Sequence, residues 1–232
     1  MSNPVLDAIL SELNGARCVL DIGCGAGGLA RALTARGFDV EGIDPQSEAI
    51  DRACALVPDA TFHVASAAAL PHRENSFDAT VFLNSLHHVP VPDMDAALSE
   101  AGRVTRPGGL VVVVEPMAQG PLFEVLRPID DETEIRAAAQ AAMDRFTLTA
   151  ATNLRFDRVS HYADMEAFTA SLLAGDPTRA AAIEANLKTL SASVARHGEH
   201  QDAGFTLVQP MLLRSFRRRP QLKSGEAGSR LR

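Results

Sequence analysis

A chain of 232 residues, 46% of them hydrophobic, is long enough to bury about 75% of the surface its unfolded form exposes, so one well-cored domain is expected without disulfide staples. Its 22 basic and 29 acidic residues leave a net charge of −7, an average field that repels a phosphate backbone and makes nucleic acid a poor default partner. The three cysteines, Cys18, Cys24 and Cys54, are odd in number and form no metal-ligand spacing. Reduced thiols in a cytoplasmic protein with no metal site are therefore expected.

The apolar stretch from Val5 to Leu13 is interrupted by Asp7 and Glu12 and has no basic leader. It reads as a short amphipathic helix, neither a secretion signal nor a membrane span. From residue 17 to residue 115, short apolar runs alternate with helical patterns, the signature of a parallel sheet with helices on both faces. Segments 18–22, 40–43, 79–83 and 110–114 are too short for helices and rich in Val, Ile, Leu and Phe, so they read as buried strands.

Leu29, Ala30, Leu33 and Ala35 make an apolar stripe ahead of Gly37, predicting a helix over 26–36. Pro45 follows Asp44 as a first helical residue, Ala49, Ile50, Ala53, Cys54 and Val57 keep helical spacing, and Pro58 stops the run. A third helix opens at Pro92 and Asp93, carries Met94, Ala97, Leu98, Ala101 and Val104 on one face, and ends before Pro107, Gly108 and Gly109.

Past Glu115 the pattern changes, because Pro116, Gly120, Pro121 and Pro128 interrupt it. A helix then starts near 130–133, with Ile135, Ala138, Ala142, Met143 and Phe146 sharing a face. Segments 154–162 and 205–216 alternate as half-exposed strands do, with helical patterns over 164–174 and 177–195 between them. There is no internal repeat or low-complexity linker, so this second half is expected as an edge of the same sheet. A single domain over 1–220 results, with a cofactor half at 15–116, an acceptor half at 117–219 and a flexible tail from 220. Arg214, Arg217, Arg218 and Arg219, then Lys223, Arg230 and Arg232, read as a solvated strand end and a frayed tail in preference to a binding patch.

The strongest local signal is Asp21-Ile22-Gly23-Cys24-Gly25-Ala26-Gly27-Gly28, between a strand and a helix. Glycines let a backbone approach a ligand closely, and the helix N-terminus offers free amides and a partial positive charge. Gly23, Gly25 and Gly28 also satisfy GxGxxG, so the loop by itself leaves S-adenosylmethionine and NAD both open. Asp44, ending the second strand, is placed to take the two hydroxyls of an adenosine ribose, and equally to cap the following helix.

The ordered set Val19 to Gly28, Gly42-Ile43-Asp44, Leu70-Pro71, Ser76-Phe77-Asp78, Leu86-His87-His88-Val89 and Arg106-Pro107-Gly108-Gly109 resembles class I S-adenosylmethionine-dependent methyltransferases of the type 11 group. It spans about half the chain. The resemblance implies an α/β fold: a doubly wound, mostly parallel, seven-stranded Rossmann-like sheet with an antiparallel edge and helical insertions. It also implies that Asp21, Gly23, Cys24 and Gly25 hold the methionine end of the cofactor, that Asp44 holds the ribose and Pro45 flanks the adenine, that Ser66 and Ala67 read the adenine edge, and that Asn84 borders the reactive methyl. The family commonly has an acidic residue where Ser66 stands, and a hydroxyl accepts the adenine amino group less strongly.

Methyl transfer from a sulfonium needs positioning above all, and orientation by itself supplies about 7–11 kcal/mol of barrier lowering. If a general base is used, His88 and then His87 are the candidates, since they follow the strand end nearest the methyl and imidazole titrates near neutrality. Packing and capping are the competing roles for both. His161 and Tyr162 are candidate acceptor-pocket residues, and Glu115 faces either that pocket or solvent. No Asn/Asp-Pro-Pro-aromatic sequence follows the fourth strand and no Pro-Cys pair occurs, which argues against methylation of a nucleic-acid base. The expected activity is therefore methyl transfer to a small molecule, with S-adenosylhomocysteine as product. An NAD(P)-dependent oxidoreductase and a non-catalytic S-adenosylmethionine-binding protein are the alternatives, and oligomerisation is open.

Overall fold

The structure, a computed structural model, describes residues 3–220. In chain order its elements are α1 (Pro4–Glu12), β1 (Cys18–Ile22), α2 (Gly28–Thr34), β2 (Asp39–Asp44), α3 (Ser47–Leu56), β3 (Thr61–Val64), β4 (Phe77–Leu83), α4 (Met94–Val104) and β5 (Thr105–Pro116). These are followed by α5 (Pro121–Leu126), α6 (Thr133–Arg145), β6 (Thr149–Tyr162), α7 (Met165–Gly175), α8 (Ala180–His197), β7 (Glu199–Gln201) and β8 (Gly204–Arg217).

The sheet order is β3-β2-β1-β4-β5-β8-β6, with β7 paired to β8 off that path. The first five strands are parallel, and β8 enters antiparallel between β5 and β6. This is the doubly wound, mostly parallel α/β architecture the pattern implied, with the second half hydrogen-bonded into the same sheet. The path holds the seven strands expected, and among the described residues the three of β7 add a short eighth rung beside β8. A three-residue exposed strand carries no hydrophobic period and cannot be read from the sequence. The same holds for β3, whose burial pattern is one buried residue among three exposed ones.

Two cores sandwich the sheet. On one face Leu20, Ile22, Phe82, Val111 and Val113 meet Met94, Leu98 and Ala101 of α4 and Ala139, Ala142 and Met143 of α6. On the other, Val19, Val81, Val112 and Val114 meet Val5 and Ile9 of α1, Leu29 and Leu33 of α2 and Ile50 of α3. The central strands are buried on both sides, which is why they read as unbroken apolar runs. A third cluster joins Leu122 and Val125 of α5 to Phe168 of α7, Ile183, Leu190 and Val194 of α8, and Phe205 and Leu207 of β8. It seats the helical insertion against the far edge of the sheet.

Several boundaries move for local reasons. Pro45 is exposed and lies before the helix, which starts at Ser47, because the Asp44 side chain turns the chain by accepting the Gln46 amide at 2.9 Å. In α6 it is Arg136, not Ile135, that is buried with Ala139, Ala142 and Met143. Arg217 and Arg218 serve the fold: Arg218 bonds the carbonyls of Gly102, Arg103 and Thr105 at the end of α4, and Arg217 bonds that of Gly108. Lys223, Arg230 and Arg232 lie outside the described residues. Among the described residues no helix is long and apolar enough to cross a membrane.

Phe82 is fully buried in the middle of β4, so Phe82→Ala is expected to lower unfolding free energy by about 3–5 kcal/mol. A denaturant titration with an unchanged slope is the check.

Candidate functional site

Strand order reverses between β1 and β4, so the connections leaving their C-terminal ends run to opposite faces and leave a crevice there. The ends of β1, β2 and β4 deliver the Gly23–Gly28 turn, Asp44 and Asn84 to that place.

The turn is fixed by close approaches. The Gly23 and Cys24 amides both donate to the Ile43 carbonyl, at 2.8 and 2.9 Å. A Cβ on Gly23 (φ +75°) would meet the Ser85 Cβ at 2.5 Å, whereas one on Gly25 (φ +52°) would meet nothing within 4 Å. Gly23 is thus required by packing against Ser85, and Gly25 by its backbone conformation beside open space. The Gly25 amide donates to the Asp44 carboxylate at 3.0 Å, tying the turn after β1 to the end of β2. Asp44 is buried, with one carboxylate oxygen on Gly25 and the other on Gln46. It turns the chain ahead of α3 without capping that helix, whose N-cap is Gln46 and has no side-chain cap bond, and each oxygen keeps further accepting capacity.

Asp21 is 1% exposed and its Oδ2 has no hydrogen-bond partner. Burial, assisted by the nearby Asp44 charge and partly offset by the Ala30 amide, pushes its carboxyl up to about 7. Cys24 is buried against Gly42, and desolvation, then Asp21 and Asp44, raise its thiol well above the ordinary range. A thiol so placed is an inert packing group. Asn84 has a left-handed backbone (φ 52°), and its Oδ1 is buried without a partner. Ala67 is buried beneath Leu70. Ser66 is exposed, and its hydroxyl accepts the Ala68 amide at 3.2 Å in a local turn.

Glu115 faces neither a pocket nor solvent. It is 2% exposed, one oxygen accepts the Ser85 and Leu86 amides at 3.2 and 2.9 Å, and the other is bound to His87 Nδ1. That carboxylate caps the 3-10 turn Leu86–His88 and commits His87 to packing. His88 remains exposed, its ring 4.1 Å from that of His87 and close to Glu132. Desolvation, with the neighbouring His87, lowers its pKa, so it is a neutral proton acceptor at physiological pH. Tyr162 packs on Phe168 and Phe205 in the insertion, and His161 is exposed.

The sequence reading missed a buried ion network beside this turn. Glu132, 6% exposed, pairs with Arg136, and Arg179 lies 3.4 Å away. Burial alone would raise the Glu132 carboxyl, but Arg136 and the histidines hold it below its ordinary value. Arg136 also donates to the Met117 carbonyl at 3.0 Å and stacks over Phe123. Glu132 and Arg136 stand four apart, a spacing common on solvated faces, so nothing in it signalled burial.

The family model described as "Methyltransferase domain" matches residues 19–109. An uncharacterized methyltransferase of Mycobacterium tuberculosis is 38% identical over 99 residues, 43% of this chain and 40% of that protein. The 2-methyl-6-phytyl-1,4-hydroquinone methyltransferase of Synechocystis is 39% identical over 101 residues, 42% of this chain and 31% of that protein. The chain thus spans less than half the length of these relatives. Among solved structures, the YcgJ protein of Bacillus subtilis superposes with a TM-score of 0.63 at 19% identity, over 93% of this chain and 99% of that one, a likeness of fold.

Two outcomes are expected from the buried carboxylates. Because Asp21 titrates near 7 when folded and near 3.8 when unfolded, the folded form binds more protons between those values. Stability then falls as pH rises from about 4 to about 7. Asp21→Asn should remove this slope and melt above the parent at pH 8, with the advantage gone at pH 4. Glu115→Ala, which strands His87 and two amides, should destabilise by about 3–5 kcal/mol in chemical denaturation.

Proposed function

We propose that the chain is a class I S-adenosylmethionine-dependent methyltransferase that transfers a methyl group from S-adenosylmethionine to a small-molecule acceptor. The observation that carries this reading is the set of buried, unpartnered carboxylate and amide oxygens, Asp21 Oδ2 and Asn84 Oδ1, beside a glycine turn with open space at Gly25. Burying such atoms without a partner is costly, and a cationic, hydrogen-bonding ligand relieves that cost.

On this reading the backbone around Gly23, Cys24 and Gly25 receives the methionine end, with Asp21 facing its ammonium and Asn84 beside the methyl. Asp44 takes the ribose hydroxyls on the lone pairs that Gly25 and Gln46 leave free, and Pro45 and Ala67 flank the adenine. Ser66, already occupied by the Ala68 amide, contributes little to the adenine edge.

The bound sulfonium supplies an activated methyl. What the protein adds is alignment of donor and acceptor for in-line displacement and exclusion of water. The acceptor lone pair forms the new bond to carbon, the carbon–sulfur pair stays on sulfur, and an acceptor proton, where there is one, passes to solvent or to neutral His88. The acceptor enters between the end of β5 and the insertion built on α5, α7 and α8.

Asp44→Ala should weaken cofactor binding by about one to two decades through loss of charge-assisted bonds. Calorimetry on the folded variant is the check, with Asp44→Asn as the milder control because Asp44 also bonds Gly25 and Gln46. An affinity equal to the parent's would place the ribose elsewhere. Below pH 7 the ligand must displace the Asp21 proton, so affinity should rise with pH up to about 7 and then level off, with up to about one proton released per site at pH 6. Asp21→Asn should abolish the release.

A further inference from the structure

We propose that Glu41, His63 and His72 form a binding site for a divalent transition-metal ion of the zinc type. The three come from separate places: Glu41 from β2, His63 from β3, and His72 from the segment joining β3 to β4. They converge on one carboxylate oxygen. Glu41 Oε2 lies 3.1 Å from His72 Nε2 and 3.6 Å from His63 Nε2, and one donor atom from each residue lies within 4.8 Å of the other two.

Around a tetrahedral zinc ion with bonds of about 2.0–2.1 Å, neighbouring donors stand about 3.3 Å apart. The two carboxylate–imidazole separations bracket that spacing, so small rotations of the His63 and His72 rings suffice to admit an ion. Two imidazoles and a carboxylate select zinc-like ions over magnesium or calcium, which prefer all-oxygen shells. The side chains are 39% (Glu41), 46% (His63) and 11% (His72) exposed, which gives the ion a path from solvent and leaves its fourth position to water.

Charge separates this cluster from the other histidine–carboxylate group in the molecule. His87, His88 and Glu132 also bring donors together, but that carboxylate is held by Arg136 and Arg179 and His87 is held by Glu115. Glu41 has no arginine or lysine partner among the described residues. Arg103, which donates to the His72 backbone carbonyl at 2.9 Å, has its charge met by both oxygens of Glu100. With neutral imidazoles the cluster therefore carries one uncompensated negative charge.

An ion there would act as a clasp. The edge strand β3 has four residues and pairs only with β2, and the segment after it carries Ser66, Ala67 and His72. A bond from His72 through the ion to Glu41 and His63 would fasten that segment to the sheet.

The test is calorimetric titration of zinc chloride into the untagged, chelator-treated full chain, alongside the visible absorption of cobalt(II) as a report on coordination. One equivalent is expected to bind with a tetrahedral cobalt spectrum, and the thermal midpoint should rise by about 5–10 °C at a hundredfold excess over the dissociation constant. His63→Ala and Glu41→Gln, each changing a partly exposed side chain, should weaken binding by about a hundredfold while leaving the metal-free melting midpoint near the parent's. Absence of stoichiometric binding overturns the proposal. So does binding that both variants retain in full, which would put the ion elsewhere, the His87 group being the next candidate.

Discussion

The reversal of strand order between β1 and β4 is the constraint from which the rest of the site follows. Parallel strands need crossover helices, and the right-handed hand of each crossover sends α2 and α3 to one face and α4 to the other. At the switch the two connections part, and the C-terminal ends of β1, β2 and β4 open onto the gap instead of being covered. The bond from the Gly25 amide to Asp44 holds the near wall of that gap. Ser85, whose hydroxyl bonds the Ile22 carbonyl at 2.6 Å and whose Cβ excludes any side chain from Gly23, holds the far one. A glycine loop is needed here for two different reasons, steric at Gly23 and conformational at Gly25.

Glu115 joins the turn after β4 to the end of β5. By capping the turn that follows β4 and holding His87, it spends a buried carboxylate on geometry, and the exposed His88 is oriented as a consequence. The adjoining Glu132–Arg136 pair fastens α6 to the segment after β5 through the Met117 carbonyl, a carbonyl that Gln209 of β8 also binds, at 2.9 Å. Three segments distant in the chain therefore converge where an acceptor would enter. A half-satisfied network of this kind would be worse than an apolar core, and here most members are paired. On the side proposed for the cofactor, by contrast, Asp21 Oδ2 and Asn84 Oδ1 are buried without a partner.

The likeness to methyltransferases lies in ordered motifs in the first half of the chain, and the insertion of α7 and α8 lies outside the matched residues. That division has a physical basis. A cofactor common to many enzymes imposes the same backbone approach and the same charges on every chain that grips it, whereas acceptors differ and leave no shared pattern. The glycine loop by itself was compatible with a dinucleotide; the later motifs, which shape the β4 and β5 ends, distinguish the families.

The sequence by itself determined the strands buried on both faces, the three crossover helices, the glycine turn and the carboxylate at the end of β2. Each of these is specified locally, by an apolar run, a period or a backbone conformation that neighbours in the chain impose. Tertiary structure alone decided the rest: β3 and β7, too short and too exposed to show a period; the inward turn of Arg136 in place of Ile135; the engagement of Glu115 with His87; and the meeting of Glu41, His63 and His72. The engagements of Arg136 and Glu115 involve polar groups whose burial is acceptable only when partners arrive, among them the Met117 carbonyl and His87 from other segments. No spacing along the chain encodes that arrival, because it is the sheet order that brings the partners together.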